Sequence, residues 1–315
     1  MPISIAIAGT TKHTVLCAEA LLADAAYSIA WVLTPAPKPV GRKQVIQKNP
    51  LHCWAEGNNI PVIVLTAKID ETTKAALCAL PRPDFLLVVD FGYLVPKWLL
   101  EWPTTAPLNI HPSDLPRWRG SSPGQFAVLY GDTQSAICLM QMSAGMDEGP
   151  IFYRVPFAVQ PTWTQTEYYA ESFALIAPQL PGLIQKIHAG AIEPTPQQGE
   201  STTPAARKLT KTDGFVPWEV VTAALTGKDL ALEENTTPLM AAAQSAHPHL
   251  ASLLASATRA FSPWPLLWTE VTTPKGTKRM QLLKSHVENT TLVLDKVKIE
   301  GKTATTWKEA QKVLD

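Results

Sequence analysis

Short apolar runs alternate with helix-like segments through the first half of the chain, and this alternation limits the possible folds more than any other feature. The runs are four to six residues long: Ile3 to Ala8, Ile29 to Leu33, Val62 to Leu65, and Phe85 to Val89. Val15 to Leu22 and Lys74 to Leu80 lie between such runs and have helical spacing. Because strands buried on both faces of a parallel sheet are continuously apolar, the sequence predicts an α/β fold with a doubly wound, mainly parallel sheet.

Length and composition set broader limits. A chain of 315 residues with 46% hydrophobic residues predicts two domains, and its net charge of +0 provides no overall field that would attract a polyanion. The four cysteines are far apart without metal-ligand spacing, which predicts reduced, mostly buried thiols. No apolar stretch approaches the roughly 20 residues needed to span a bilayer. We therefore expect a cytoplasmic protein that makes no membrane contact.

Two later apolar runs end in polar residues. Leu108 to His111 and Ala136 to Met142 are both strand-like, and the second leads into the segment from Gly145 to Gly149 that contains Asp147. Ligands of open α/β sheets bind where strands give way to loops. Since residues two apart in a strand share a face, Asn109 and His111 are predicted to present their side chains together.

These residue types suit the transfer of an acyl group to an amine. An amide such as Asn109 can stabilise the oxygen that gains negative charge, while His111 and Asp147 can orient one another and move the proton of the amine. Taken singly, each also has a structural interpretation. A histidine at a strand end is often a hydrogen-bonded structural residue, and an aspartate between glycines is common in turns. Spacing alone leaves both interpretations open.

The second half has a different character. A helical pattern runs from Thr166 to Ile187 and ends before Gly190, a good C-cap signal. Residues 191–206 are rich in Pro, Gln, Ser and Thr, which indicates a linker. Further on, Leu266 to Val271, Met280 to Leu283 and Thr291 to Val297 are predicted strands. The expected organisation is a catalytic domain at 1–190, a linker at 191–206 and a second domain at 207–315.

Several segments resemble the 10-formyltetrahydrofolate-dependent formyltransferase family. They occur in the family's order: Ala8 to Thr10, Val88 to Pro96, Asn109 to His111, Ser113 to Gly120, Met140 to Met142, Gly145 to Gly149, and Arg259 to Pro265. The resemblance implies a Rossmann-like catalytic domain followed by a small tRNA-binding β-barrel domain of OB type. The stretch after His286 is too short for the family's full barrel, so we expect an abbreviated one. The resemblance also implies that Asn109, His111 and Asp147 are catalytic and that 10-formyltetrahydrofolate is the co-substrate, without a metal. The implied folate pocket contains Ser113, Asp114, Leu115, Pro116, Phe91, Gly92, Tyr93, Leu94 and Val95.

A basic segment bears on the acceptor. Residues 37–48 contain Lys38, Arg42, Lys43 and Lys48 and no acid. Although this composition also fits a solvated loop, the segment is similar to the basic loop of family members that act on methionyl initiator tRNA. Basic side chains of this kind can neutralise RNA phosphates. We therefore expect methionyl initiator tRNA as the partner, with Arg42 and Lys43 as the leading contacts. We also expect the enzyme to be a monomer. An amino sugar or other small amine is the alternative acceptor, and a non-catalytic folate- or RNA-binding module is a second alternative.

The chain also departs from the family pattern. Asp114 stands where the family usually has an apolar residue, and Asp90 replaces a small one. Either acid could change the contacts to folate or the charge around His111. Residues 11–13 differ as well, at the end of the first predicted strand.

Overall fold

The structure is a computed structural model that describes residues 1–41 and 44–314. The chain divides into two compact units. The first comprises residues 1–119, 136–157 and 169–204, and the second comprises 120–135, 158–168 and 205–315. The last passage from the first unit to the second follows Pro204, inside the segment predicted to be a linker. The expected domain limits at 190 and 207 stay a prediction.

Twelve strands and eleven α-helices lie within the described residues. The strands are β1 (Ile3–Gly9), β2 (Tyr27–Pro35), β3 (Lys38–Val40), β4 (Val45–Gln47), β5 (Val62–Leu65), β6 (Phe85–Val89), β7 (Ala106–His111), β8 (Gln134–Gln141), β9 (Ile151–Ala158), β10 (Leu267–Val271), β11 (Lys278–Glu288) and β12 (Thr291–Ile299). The helices are α1 (Lys12–Leu22), α2 (Pro50–Gly57), α3 (Glu71–Cys78), α4 (Lys97–Leu100), α5 (Pro123–Leu129), α6 (Gln165–Ile176), α7 (Leu180–His188), α8 (Trp218–Leu225), α9 (Pro238–Gln244), α10 (Leu250–Ala260) and α11 (Trp307–Gln311).

The largest sheet has seven strands in the order β5-β2-β1-β6-β7-β8-β9. Strands β5, β2, β1, β6 and β7 are parallel to their neighbours, while β8 runs antiparallel to β7. The predicted doubly wound, mainly parallel sheet is confirmed. Its order places β6 between β1 and β7, so the loops that follow these three strands leave from the same edge.

The apolar runs form strands because both of their faces are covered. Ala6 and Ala8 of β1 share a buried cluster with Trp31 and Leu33 of β2, and Leu77 of α3 packs against it. The alternate residues of β1, Ile5 and Ile7, are also completely buried. Elsewhere in the first unit, helix α1 contacts α2 and α7. Alternating residues therefore enter buried layers on both sides of the sheet.

Local signals explain where the helices begin and end. The Thr11 hydroxyl accepts a hydrogen bond from the backbone of His13 at the start of α1, as an N-cap does. Helices α6 and α7, which are separated by the 3₁₀ turn Ala177–Gln179, occupy the region predicted from Thr166 to Ile187. The pattern stops at Gly190, whose φ of +67° suits glycine. The sequence did not predict β9 or the hairpin of β3 and β4.

In the second unit, β10, β11 and β12 form an antiparallel sheet of three strands, each overlapping a predicted strand. An OB barrel has five strands. The described part of this unit therefore contains a three-stranded antiparallel sheet and not a closed five-stranded barrel. Helix α10 contacts β11 and is almost entirely buried, which agrees with its interpretation as a packed helix.

Two further expectations concern the cysteines and the membrane. Cys17 and Cys138 are buried, whereas Cys53 and Cys78 are exposed, so the prediction of mostly buried thiols was wrong for half of them. Burial raises the pKa of the Cys138 thiol to about 11. Among the described helices, none is both long enough and apolar enough to cross a bilayer.

Candidate active site

Strand β7 carries two of the predicted catalytic residues. It pairs with β6 and β8, with Asn109 opposite Val88 on one side and Met140 on the other. Asn109 is half-buried and His111 is buried. Both side chains approach Asp147, as their shared strand face predicts.

The His111 ring is held at one nitrogen. Its Nε2 lies 3.1 Å from the backbone carbonyl oxygen of Trp118, which can only accept a hydrogen bond. Nε2 therefore carries a hydrogen and donates it, which leaves Nδ1 as the nitrogen that can gain or lose a proton. Nδ1 lies 3.6 Å from Oδ2 of Asp147.

Trp118 contributes through its backbone and was not among the predicted site residues. Its side chain is completely buried, its φ is +57°, and its backbone N–H donates to Oγ1 of Thr203 over 3.0 Å. The Arg117 guanidinium lies 4.7 Å from the centre of the Trp118 ring. These contacts aim the carbonyl at His111. A backbone acceptor leaves no mark in a residue pattern, so sequence reasoning had no signal for it.

Asp147 lies between β8 and β9, close to both other residues of the trio. Its Oδ1 accepts a hydrogen bond from Nδ2 of Asn109 over 3.3 Å, and its side chain is 15% exposed. Its φ of +54° is in the left-handed region, where few residues other than glycine lie but aspartate is several-fold enriched. Asn109, His111 and Asp147 therefore form one polar cluster that solvent reaches.

The loop predicted to bind folate after β7 is held mainly by its own contacts. Ser113 is completely buried and donates from Oγ to the carbonyl of Arg117 over 2.7 Å. Leu115 is also completely buried and packs with Cys138 and Met140. These two side chains therefore support the loop from inside. A folate contact by Ser113, Leu115 or Pro116 stays a prediction.

The unusual acid of this loop has a partner. Asp114 forms an ion pair with Arg154 of β9, with 2.8 Å between Oδ1 and Nη1. The same guanidinium donates from Nη2 to the carbonyl of Leu115 over 2.6 Å. The change from an apolar residue to Asp114 is therefore accommodated by the Arg154 cation on β9, and the pair ties the loop to that strand.

The second predicted folate segment, residues 91–95, follows β6. Phe91, Tyr93 and Val95 pack against the buried cluster that contains Ala6 and Leu86, and the Phe91 and Tyr93 rings are 5.4 Å apart. Leu94 is 83% exposed, and Gly92 is exposed as well. Of this segment, Gly92 and Leu94 are the most accessible to a ligand, and the folate contact of the segment stays a prediction.

Asp90 begins this segment and lies at the same sheet edge. The Thr11 hydroxyl donates to its Oδ2 over 2.5 Å, and its φ is +48°. Burial raises the pKa of the Asp90 carboxyl, while the Thr11 hydrogen bond and the charge of His111 act in the opposite direction. Asp90 is thus a second carboxyl group within electrostatic reach of His111.

The basic segment forms part of a hairpin. Lys38 lies on β3 and is exposed. Lys48 follows β4 and pairs with Glu56 of α2, with 2.6 Å between Nζ and Oε1. Arg42 and Lys43 lie outside the described residues. Lys48 already has an acidic partner, so Lys38 is the more available of the two described cations.

Comparison with known proteins places the chain in a family. A family described as formyl transferase matches residues 1–175, more than half of the chain. The chain belongs to the formyl transferase family. Within the described residues, no three His, Cys, Asp or Glu side chains are grouped as metal ligands.

Full-length relatives in this family extend the match into the second unit. The chain is 31% identical to the methionyl-tRNA formyltransferase of Idiomarina loihiensis, over 84% of this chain and 74% of that one. It is 32% identical to the methionyl-tRNA formyltransferase of Caulobacter vibrioides, over 90% of this chain and 82% of that one.

Solved structures share the fold at lower identity. Methionyl-tRNA formyltransferase from Clostridium thermocellum superposes with a TM-score of 0.55 at 16% identity, covering 94% of this chain and 98% of that chain. An N-formyltransferase from Helicobacter canadensis, in complex with folinic acid and dTDP-3-aminofucose, gives a TM-score of 0.58 at 18% identity, over 91% and 88% of the two chains. The family's fold therefore spans nearly the whole chain.

Proposed function

We propose that this protein transfers the formyl group of 10-formyltetrahydrofolate to the amino group of methionyl initiator tRNA, in the cytoplasm and as a monomer. The observation that carries the proposal is the cluster of Asn109, His111 and Asp147 at the end of β7. Membership of the formyl transferase family supports the reaction, and the two relatives described above support the acceptor. The folate would lie along residues 113–116 and 91–95.

Asn109 stabilises negative charge in this reaction. Its Nδ2 has two hydrogens, and Asp147 accepts one of them over 3.3 Å. The second is free to bind the formyl oxygen, which gains negative charge when the amine adds to the formyl carbon. Because Asp147 fixes the direction of the amide, Asn109 does not need to reorganise during the reaction.

His111 and Asp147 manage the proton. Nε2 of His111 is committed to the Trp118 carbonyl, so only Nδ1 exchanges a proton. Asp147, which lies 3.6 Å from Nδ1, takes the proton of the attacking amine directly or through water, and protonated His111 donates to the formyl oxygen or to the departing folate nitrogen. The bond from the formyl carbon to the folate nitrogen then breaks, leaving a formamide on the acceptor.

Single alanine substitutions test this assignment. Asn109→Ala and His111→Ala are each expected to lower kcat by about 10²–10³-fold, the usual effect of losing one donor to a developing oxyanion. The assay uses 10-formyltetrahydrofolate and charged initiator tRNA, followed by mass analysis of the released amino acid. Glu71→Ala, which removes an exposed carboxylate paired with Lys74 on α3, is the control for general loss of structure. Near wild-type rates for both site variants would contradict the assignment.

The acceptor needs a separate experiment. Methionyl-tRNA and a nucleotide-linked amino sugar are offered to the same preparation, and turnover of methionyl-tRNA alone is expected. Lys38→Ala, Arg42→Ala and Lys43→Ala should each raise the KM for tRNA, leave the KM for folate unchanged and weaken the salt dependence, because each removes a phosphate contact. Formylation of the sugar alone would contradict the tRNA assignment while leaving the chemistry intact. Folate binding without product from either amine would favour a binding module.

A further inference from the structure

A glutamine in the segment predicted to be a linker contacts the loop that carries Asp147. The Nε2 amide of Gln197 donates to the carbonyl oxygen of Asp147 over 2.7 Å and to that of Gly149 over 2.8 Å. Both amide hydrogens are thus used on one loop. The backbone of the same segment adds a second attachment, since Thr195 and Ile151 exchange two hydrogen bonds of 2.8 and 2.9 Å at the start of β9.

The other end of the Gln197 amide is fixed by an arginine. Arg119 donates from Nε and Nη2 to Oε1 of Gln197, over 3.0 and 2.7 Å. A guanidinium has only donors and the two loop carbonyls only accept, so the amide can satisfy its neighbours in one direction alone. Arg119 therefore orients Gln197 toward the loop.

The loop needs such support because its backbone is in an uncommon conformation. Asp147 has a φ of +54°, and residues in sparsely populated regions persist where the surrounding structure holds them. Two contacts of the Asp147 carboxylate are long, at 3.3 Å from Asn109 and 3.6 Å from His111. The two bonds from Gln197 are shorter, at 2.7 and 2.8 Å, and hold the backbone carbonyls of Asp147 and Gly149. The position of the Asp147 carboxylate therefore depends on hydrogen bonds made to the backbone of its loop.

We infer that Gln197 is a positioning residue for Asp147, and that Arg119 acts by orienting Gln197. The inference rests on the proposed function for the role of Asp147 in formyl transfer, whereas the hold on the loop is a property of the structure alone. Residues 191–206 then do more than connect two domains, since part of the catalytic geometry depends on a side chain of that segment.

The test uses variants that separate hydrogen bonding from space filling. Gln197→Glu keeps the size of the side chain and an acceptor for Arg119 but loses both donors to the loop. Gln197→Met keeps the approximate size and loses all three partners. Gln198→Ala is the matched control, because Gln198 is the next residue and is exposed. For both Gln197 variants we expect kcat to fall by about 10²-fold, as a displacement of about 1 Å at a reacting group can cause. The KM values for folate and methionyl-tRNA should change less than about threefold, since Gln197 lies outside the segments proposed to bind folate and tRNA.

A second measurement is independent of the acceptor. Hydrogen exchange of the backbone amides in residues 143–149 should become faster in both Gln197 variants and stay unchanged in Gln198→Ala, with exchange in β1 and β6 unaffected in all three. If Gln197→Glu does not fold, Arg119→Met tests the same hold with Gln197 in place, and a smaller change in the same two measurements is expected.

The outcomes separate this inference from the proposed function. Wild-type kcat together with wild-type loop exchange in Gln197→Glu would overturn the inference even if methionyl-tRNA is formylated. So would an equal rise in both KM values at unchanged kcat. A third outcome is faster loop exchange in the Gln197 variants while the wild-type protein formylates no amine. That outcome would support the hold of Gln197 on the loop and contradict the proposed function.

Discussion

Two aspartates at the same sheet edge, Asp90 and Asp147, have nearly the same backbone conformation and different surroundings. Their φ values are +48° and +54°. The Asp147 carboxylate lies near an amide and an imidazole, at 3.3 and 3.6 Å. The Asp90 carboxyl accepts from one hydroxyl, that of Thr11, and burial raises its pKa. Because the two aspartates have similar φ values, the difference between their carboxyl groups comes from the groups that surround them.

The difference teaches how desolvation at one sheet edge can make a carboxyl group less readily charged than an ordinary aspartate. Polar neighbours stabilise the ionised form of an acid, while desolvation favours the neutral form. Asp147, which has the polar neighbours, suits a base. Asp90 holds its proton to higher pH than an ordinary aspartate, so its charge near His111 depends on pH.

Asp147→Asn should abolish most of the activity while preserving the fold. Asparagine tolerates the left-handed conformation and retains an oxygen for Asn109, but it cannot accept the proton of the amine. We expect kcat to fall by about 10³-fold, within the range typical of a lost general base, with little change in melting temperature. Steady-state kinetics and calorimetry on the same preparation check this. A kcat within tenfold of wild type would remove Asp147 from the proton transfer.

Gly149→Ala should damage the Asp147 loop without changing its carboxylate. A Cβ at Gly149 would lie 1.8 Å from the backbone oxygen of Gln141, so the loop must move. The matched control on the Asp90 loop is Gly92→Ala, because a Cβ at Gly92 meets no atom within 4 Å. We expect Gly149→Ala to cost about 1–3 kcal/mol of unfolding free energy, as overpacking does, and Gly92→Ala to be almost neutral. Equal effects in denaturant titrations would show that the two loops are equally constrained.

Asp90→Asn should have the smallest effect and should depend on pH. Because folding raises the pKa of Asp90, the folded state binds more protons than the unfolded state between the two pKa values, and stability falls as pH rises through that window. Asparagine removes this loss and can still accept from Thr11. The variant is expected to be more stable than wild type at pH 7, and the difference should vanish below the ordinary pKa of aspartate, about 4.

Urea unfolding at a series of pH values measures this difference. A variant that is less stable than wild type at pH 7 would contradict the pKa direction, and a constant difference at all pH values would assign the effect to packing.

The sequence predicted the framework of the first unit because periodicity is a strong signal. The run from Ile3 to Ala8 and the run from Phe85 to Val89 are continuous apolar segments, and both are buried parallel strands. Strand alternation also placed Asn109 and His111 side by side. The third residue of the cluster, Asp147, lies in the loop before β9. Its place beside Asn109 and His111 was predicted from the family resemblance and not from spacing.

The remaining contacts could not be predicted, for physical reasons that differ between residues. Gln197 lies in a polar, proline-rich stretch where nothing in the sequence marks one glutamine as hydrogen-bonded to the Asp147 loop. Lys48 has an acidic partner in Glu56, eight residues away, so counting charges overstated its availability. Ser113 is polar and yet completely buried, because a loop carbonyl satisfies its hydroxyl. Each of these depends on tertiary partners that a linear pattern does not contain.

The carbonyl of Trp118 has a consequence for the route of protons. A histidine that relays protons takes one up at one ring nitrogen and releases another from the opposite nitrogen. In His111 the opposite nitrogen faces a carbonyl oxygen, which has no proton to give and cannot keep one. A proton that arrives at Nδ1 must therefore leave from Nδ1. The imidazole therefore passes no proton on to the Trp118 carbonyl. In the proposed reaction, the proton that the acceptor amine loses stays with Asp147, His111 and the substrates until the departing folate nitrogen takes it.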